Sequence, residues 1–127
     1  MGIRVLLVED VKASHEMIVE LLDLVGGYRV VGSCATESAA LQWLHEHPQG
    51  CDLVILDIML REGSGFPVLA AQATRAAPDV VVFSDFASPA VADKCVALGA
   101  EAAIRKADSR RMRLFLEGYR GRLATSA

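Results

Sequence analysis

The sequence lacks the features that mark membrane proteins and disulfide-stabilised domains. None of its apolar runs approaches the roughly 20 residues that span a bilayer. Its three cysteines, Cys34, Cys51 and Cys95, are widely spaced and form no CxxC pair, so they support neither a zinc site nor a disulfide framework. The first residues also lack the basic region and small-residue cleavage site of a secretory signal. We therefore expect a cytoplasmic protein without membrane contact, whose cysteines are buried thiols.

Aromatic residues and net positive charge are also scarce. Aromatics make up 6% of the chain and are too scattered to form a base-stacking platform, and the formal charge is −3. Residues 105–127 hold seven basic and two acidic side chains, which gives this segment +5 and the remainder −8. A solvated helix face explains the basic segment better than a nucleic-acid site does. We expect no direct nucleic-acid binding by this domain.

What the chain does have is an alternation of short apolar runs with longer amphipathic stretches. Its 127 residues suit one domain, residues 1–127, and the alternation is typical of an α/β fold with a parallel sheet. The predicted strands are Ile3–Val8, Tyr28–Ser33, Leu53–Leu56, Val80–Phe83 and Ala102–Arg105. Five helices are predicted between and after them, which gives a (βα)5 architecture with right-handed crossovers.

Several helix ends can be assigned from single residues. The first helix should stop at Gly26 and Gly27, because glycine readily adopts the backbone conformation that ends a helix. Ser88 followed by Pro89 predicts the start of the fourth helix. The third helix is expected to run from about Phe66 to Ala76.

Polar residues follow four of the strands, at the sheet edge where α/β proteins bind ligands. Strand one is followed by Glu9 and Asp10, strand three by Asp57, strand four by Ser84 and strand five by Lys106. Three carboxylates in close proximity repel one another unless a cation lies between them or the pKa of one of them rises. Magnesium suits such oxygen ligands, with Asp10 and Asp57 as direct ligands and Glu9 acting through water.

The same set of residues suits phosphoryl transfer. A backbone carbonyl after Asp57, such as that of Met59, would complete the magnesium sphere. Asp57 facing such an ion can attack a phosphoryl group and form an aspartyl phosphate. Ser84 and Lys106 would then bind the phosphoryl oxygens, whose charge must be stabilised.

With their flanking sequence, these strand ends resemble the receiver domain of two-component response regulators, in the CheY-like superfamily. The matching stretches are VLLVED at 5–10, LVILDIMLREGSGFPVL at 53–69, VVVFS at 80–84 and CVALGAEAAIRK at 95–106. The resemblance implies a flavodoxin-like three-layer sandwich of strand order 2-1-3-4-5. It also implies that Asp57 accepts phosphate from the phosphohistidine of a histidine kinase or phosphotransfer protein, in a magnesium-dependent phosphorelay that switches protein–protein interactions. Such a domain is not an enzyme and assists only its own phosphorylation and dephosphorylation.

Four positions depart from the family's pattern. Arg61 replaces a usual proline and should affect only loop stiffness. Asp85 stands where a small residue is usual and could slow phosphorylation or alter its lifetime. Ala103 replaces the aromatic residue that rotates inward on activation, and Ala107 replaces a proline that commonly follows the lysine through a cis peptide. These departures keep an alternative open, a pseudo-receiver that acts as a phosphate-independent interaction module.

The resemblance also predicts partner surfaces. The first helix and the loop after strand five, residues 11–25 and 107–110, would dock the kinase. The fourth helix, strand five and fifth helix would form an output or homodimer face that includes Arg105, Arg111 and Arg113. A phosphatase that uses Asp57 as nucleophile is disfavoured, because the second aspartate of that family is replaced by Met59.

Overall fold

The chain alternates strands and helices from end to end. The computed structural model describes residues 2–126, so Met1 and Ala127 of the predicted domain lie outside the described residues. The elements in order are β1 (Ile3–Val8), α1 (Lys12–Val25), β2 (Tyr28–Cys34), α2 (Glu37–Glu46), β3 (Leu53–Leu56), α3 (Phe66–Gln72), β4 (Asp79–Ser84), α4 (Pro89–Ala97), β5 (Ala102–Arg105) and α5 (Ser109–Ser126). All strand pairings are parallel, and the sheet order is β2-β1-β3-β4-β5. The predicted (βα)5 architecture, flavodoxin-like fold and strand order are confirmed.

Two apolar cores lie on opposite faces of the sheet because successive strand residues point to opposite sides. On one face Val5 and Leu7 of β1 pack with residues of α1 and α5, and on the other Leu6 and Val8 pack with residues of α2, α3 and α4. The central strands β1, β3 and β4 are therefore covered on both sides, which explains their nearly continuous apolar sequence. No helix among the described residues is long and apolar enough to cross a membrane.

Several local predictions are confirmed in detail. Gly26 and Gly27 end α1 with φ angles of 78° and 83°, in the region that glycine adopts without strain. The Ser88 hydroxyl caps α4 by accepting a hydrogen bond from the Val91 backbone N–H. The three cysteines are buried and unpaired, and burial raises the pKa of each thiol, in Cys51 to about 11.

The predicted end of the third helix is wrong. The helix α3 stops at Gln72 rather than near Ala76. Residues 73–77 are exposed, so a further turn would bury no apolar face, and packing of such a face supplies most helix stability in proteins. Pro78 also disfavours a helical backbone at the residue before it.

A buried tyrosine anchors α5 to the end of the sheet opposite the polar strand ends. The Tyr119 hydroxyl donates a 2.7 Å hydrogen bond to the Asp79 carboxylate, and burial followed by this contact raises the pKa of Tyr119. We expect Tyr119→Phe to lower the free energy of unfolding by about 1.5–3 kcal/mol, because it leaves a charged acceptor unpaired. Tyr28→Phe removes a hydroxyl that donates to the backbone carbonyl of Leu116 and should cost only about 1 kcal/mol. Urea denaturation of both variants checks this order, and equal losses would contradict it.

Candidate functional site

The predicted polar residues lie at one edge of the sheet, at the carboxyl ends of the parallel strands. Val8 at the end of β1 pairs with Leu56 at the end of β3, so the residues that follow them emerge side by side. The Asp57 backbone N–H donates to the Val8 carbonyl at 3.0 Å, which holds the start of the β3–α3 loop against β1. Ser84 pairs with Arg105, the residue before Lys106. The structure therefore brings together the residues that sequence analysis placed at these strand ends.

Three carboxylates form the acidic part of this site. Glu9 and Asp57 are each 5% exposed, and Asp10 is half-buried. Each offers an oxygen atom, and these three atoms lie within 4.8 Å of one another. The Asp10 carboxylate also accepts a hydrogen bond from the Arg61 backbone N–H. Such a set of hard oxygen atoms at short mutual distance fits a divalent cation of the magnesium type.

Lys106 supplies positive charge to two of the three carboxylates. Its ammonium nitrogen lies 2.8 Å from Asp57 Oδ2 and 2.5 Å from Glu9 Oε1, and it donates to the Ser14 hydroxyl at 3.1 Å. Burial opposes the charged form of Lys106, but the hydrogen bonds to Asp57 and Glu9 outweigh it and raise the pKa of the ammonium. Burial raises the pKa of Glu9, an effect that Lys106 opposes. Lys106 is therefore the counter-ion of the acidic cluster formed by Glu9, Asp10 and Asp57.

Both oxygens of Asp57 are oriented by neighbouring donors. Oδ1 accepts hydrogen bonds from the Ser84 hydroxyl at 2.7 Å and from the Met59 backbone N–H at 3.0 Å. Oδ2 accepts from Lys106. Ser84 is fully buried, and its oxygen also accepts from the Phe86 backbone N–H at 3.2 Å. This network fixes the carboxylate and connects it to the loop between β4 and α4.

Asp85 and Ala103, two of the departures from the family's pattern, occupy different environments. Asp85 is exposed, and its carboxylate makes no hydrogen bond or ion pair with the described residues, so it stands apart from the acidic cluster. Ala103 is 4% exposed on β5 and borders a groove on the sheet's outer edge. The peptide bond between Lys106 and Ala107 is trans, which removes the possibility of a strained cis bond there. The influence of Asp85 and Ala103 on switching, and the Met59 carbonyl as a magnesium ligand, stay predictions.

Sequence analysis missed two contributors to the site. Ser14 contacts Lys106 from α1, but a serine in a helix carries no signal of its own. Gly65 lies where the β3–α3 loop folds back on Asp57, and its N–H donates to the Ile58 carbonyl at 3.0 Å. A Cβ at Gly65 would lie 2.5 Å from the Asp57 carbonyl oxygen and 2.8 Å from Ile58 Cα. Gly65 therefore allows close backbone packing around Asp57.

This close approach makes a prediction for Gly65→Ala. The added methyl group must push the loop away from Asp57, and we expect an overpacking cost of about 1–3 kcal/mol in unfolding free energy. Gly118→Ala is the control, because a Cβ there meets only Arg122 at 3.9 Å on α5. That variant should be stabilised by up to about 1 kcal/mol, the helix preference for alanine over glycine. Thermal and urea denaturation compare the two, and an unaffected Gly65→Ala would contradict the steric argument.

Fold and site together define a class of protein: a doubly wound α/β domain with a buried aspartate held among carboxylates, a hydroxyl and a lysine. The family model of the response regulator receiver domain matches residues 5–116. The chain belongs to the response regulator receiver domain family.

Solved structures agree with this assignment. A signal receiver domain of a DNA-binding response regulator from Colwellia psychrerythraea is 22% identical, with a TM-score of 0.78 over 93% of this chain and 98% of that one. The signal receiver domain of the putative response regulator NarL from Mycobacterium tuberculosis is 27% identical, with a TM-score of 0.76 over 91% and 92% of the two chains. A CheX–CheY–beryllofluoride–magnesium complex from Borrelia burgdorferi is 21% identical, with a TM-score of 0.75 over 89% of each chain. None of the curated proteins matches the sequence.

Proposed function

We propose that this domain accepts a phosphoryl group on Asp57 from a histidine kinase or phosphotransfer protein, with magnesium held by Glu9, Asp10 and Asp57. The observation that carries the proposal is the position of Asp57, which contacts Ser84 and Lys106 and lies within the acidic cluster. An ordinary buried ion pair would need neither the two further carboxylates nor the hydroxyl. The resulting aspartyl phosphate switches protein–protein interactions.

The transfer follows from the donors around Asp57. A carboxylate oxygen attacks the phosphorus of a phosphohistidine, the new O–P bond forms, and the P–N bond breaks with its electron pair returning to the imidazole nitrogen. Lys106 and Ser84 stabilise the charge on the phosphoryl oxygens, because both already lie within hydrogen-bond distance of Asp57. A bound magnesium ion would neutralise the remaining negative charge between the carboxylates and the phosphoryl group. The domain assists this reaction on itself and is not an enzyme for other substrates.

The proposed kinase-docking surface consists of residues 11–25, which include α1, and residues 107–110, which lead from β5 into α5. A groove of about 200 Å³ between them is lined by Met17, Glu20, Leu21, Leu24 and Ser109. Leu24 is 67% exposed there, so the groove presents apolar surface to a partner. An amphipathic helix of a partner suits a groove with apolar residues and a polar rim.

The proposed output face consists of α4, β5 and α5, through which the domain would form a homodimer or bind another protein. Arg105, Arg111 and Arg113 are exposed on β5 and α5. Their exposure supports an association that weakens as salt rises, and salt-independent association would count against it. We place this domain in the cytoplasm and assign it no direct contact with nucleic acid.

Binding of beryllofluoride, a phosphoryl mimic, tests the proposed function. Fluorine NMR of the protein with beryllofluoride should give a bound signal that requires magnesium and that calcium, which prefers more ligands at longer distances, supports poorly. Absence of a bound signal with magnesium present would favour the pseudo-receiver alternative. That alternative predicts partner binding that is unaffected by phosphoryl donors.

A further inference from the structure

The β3–α3 loop carries backbone donors to two of the three carboxylates. The Met59 N–H donates to Asp57 Oδ1 at 3.0 Å, and the Arg61 N–H donates to the Asp10 carboxylate. An antiparallel bridge between Met59 and Ser64 closes the loop. The position of this loop therefore determines how the Asp10 and Asp57 carboxylates are held relative to each other.

The same loop is attached to the start of α2 by two hydrogen bonds that run in opposite directions. The Ser64 N–H donates to Glu37 Oε1 at 2.9 Å, and the Glu37 N–H donates to the Glu62 carbonyl at 3.1 Å. Gly63 lies between these two loop residues with a φ of 87°, and a Cβ on it would lie 2.5 Å from the Cβ of Glu37. The loop and α2 are therefore in direct contact through Glu37.

The Glu37 side chain is not the cap of α2. Thr36 is the capping residue, and its hydroxyl accepts the Ala39 N–H at 3.1 Å. The helix dipole favours a negative charge in the first turn, but this ordinary role requires no particular contact of the carboxylate. Here the half-buried carboxylate leaves its own helix and accepts a backbone N–H of the β3–α3 loop. A hydrogen bond to an ionised acceptor is stronger than one between neutral groups, so this contact can hold the loop.

We propose that Glu37 is a positioning residue for magnesium binding. Its carboxylate holds the Ser64 N–H, and the loop thereby keeps its own N–H groups against Asp10 and Asp57. Without this acceptor the loop separates from α2, and the two carboxylates lose the fixed arrangement that magnesium requires. This inference rests on the proposed function, because it concerns the ion that assists phosphoryl transfer.

Three substitutions at Glu37 separate the reach of the side chain from its charge. Glu37→Gln keeps an oxygen acceptor at the same reach but removes the charge, whereas Glu37→Asp keeps the charge on a side chain one carbon shorter. Glu37→Ala removes both. NMR titration of the amide signals measures magnesium affinity. We expect it to stay within about twofold of the native value for Glu37→Gln and to fall about tenfold for the other two, the scale on which losing a partner of the ligands weakens metal binding.

Amide hydrogen exchange of Ser64 without magnesium reports the contact itself. The Ser64 N–H should exchange as slowly in Glu37→Gln as in the native chain, and faster in Glu37→Asp and Glu37→Ala. Glu46→Ala is the matched control, because Glu46 is exposed at the other end of α2, and it should change neither measurement. Urea denaturation establishes that each variant is folded.

A failure of the positioning role can be told from a failure of the proposed function. Equal magnesium affinity in Glu37→Ala and the native chain would overturn the positioning role and leave the proposed function intact. Loss of affinity in Glu37→Gln, with Glu37→Asp unaffected, would assign the effect to the charge of Glu37 and would also overturn it. A native chain that binds no magnesium would overturn both proposals.

Discussion

Replacement of Asp57 by Asn is expected to abolish phosphoryl uptake from a small acyl phosphate donor. The amide nitrogen cannot replace a carboxylate oxygen as nucleophile, and the acidic cluster loses one of its three negative charges. We therefore expect incorporation to fall to background and magnesium affinity to decrease. Intact-protein mass spectrometry and a magnesium titration measure the two effects.

Asp85→Asn is the matched control for that substitution. Its carboxylate is exposed and makes no contact with the described acidic cluster, so the variant should still be phosphorylated. The Asp57 variant should remain folded, because Lys106 keeps its ion pair with Glu9. Equal phosphorylation of Asp57→Asn and the native chain would contradict the assigned acceptor.

Replacement of Lys106 by Met should have the largest effect on stability. The side chain is 6% exposed and serves both Glu9 and Asp57, so the variant leaves two buried carboxylates without their cation. Removing one partner of a buried ion pair typically costs about 3–5 kcal/mol. Urea denaturation without magnesium measures the loss.

Magnesium should restore part of that stability. A divalent ion replaces the missing positive charge, so the rise in Tm on adding magnesium should be greater for Lys106→Met than for the native chain. Lys12→Met is the control, because that side chain is 92% exposed and its loss should change stability by less than about 0.5 kcal/mol. Equal magnesium-induced shifts in the native chain and Lys106→Met would show that the lysine is not the counter-ion of the cluster.

The strand ends could be predicted from sequence because the underlying rule is geometric. In a parallel sheet, residues after successive strands meet at one edge whatever their distance in the chain. Glu9 and Asp57 are therefore adjacent although β2 and α2 separate them in sequence. The apolar runs that locate the strands are short and sharply bounded, and these bounds locate the polar residues that follow.

Other contributors depend on details that such patterns do not contain. Ser14 reaches Lys106 only because of the rotation of α1 over the sheet. Gly65 matters because its backbone lies close to that of Asp57. Glycine occurs in loops for many reasons, so its presence in the sequence does not reveal this contact. The predicted end of α3 lies four residues too late because composition favours a helix where no packing partner exists. These properties arise from tertiary packing.

The same distinction applies to the output face. Sequence analysis identified Ala103 as a departure from the family's pattern, but the groove beside it arises from the combination of small residues on α4 and β5. Phe86 carried no signal in the sequence, because one aromatic residue in a loop is common, but in the structure its backbone N–H donates a hydrogen bond to the Ser84 hydroxyl.

The most direct test of phosphoryl acceptance by Asp57 is to locate the phosphoryl group after reaction with acyl phosphate and magnesium. Borohydride reduces an acyl phosphate and leaves a stable mark on the modified side chain, which peptide mass spectrometry assigns to one residue. We predict a mark on Asp57 that requires magnesium during the reaction. A mark on another residue, or none on a folded protein with magnesium bound, would contradict the assignment of Asp57 as the acceptor.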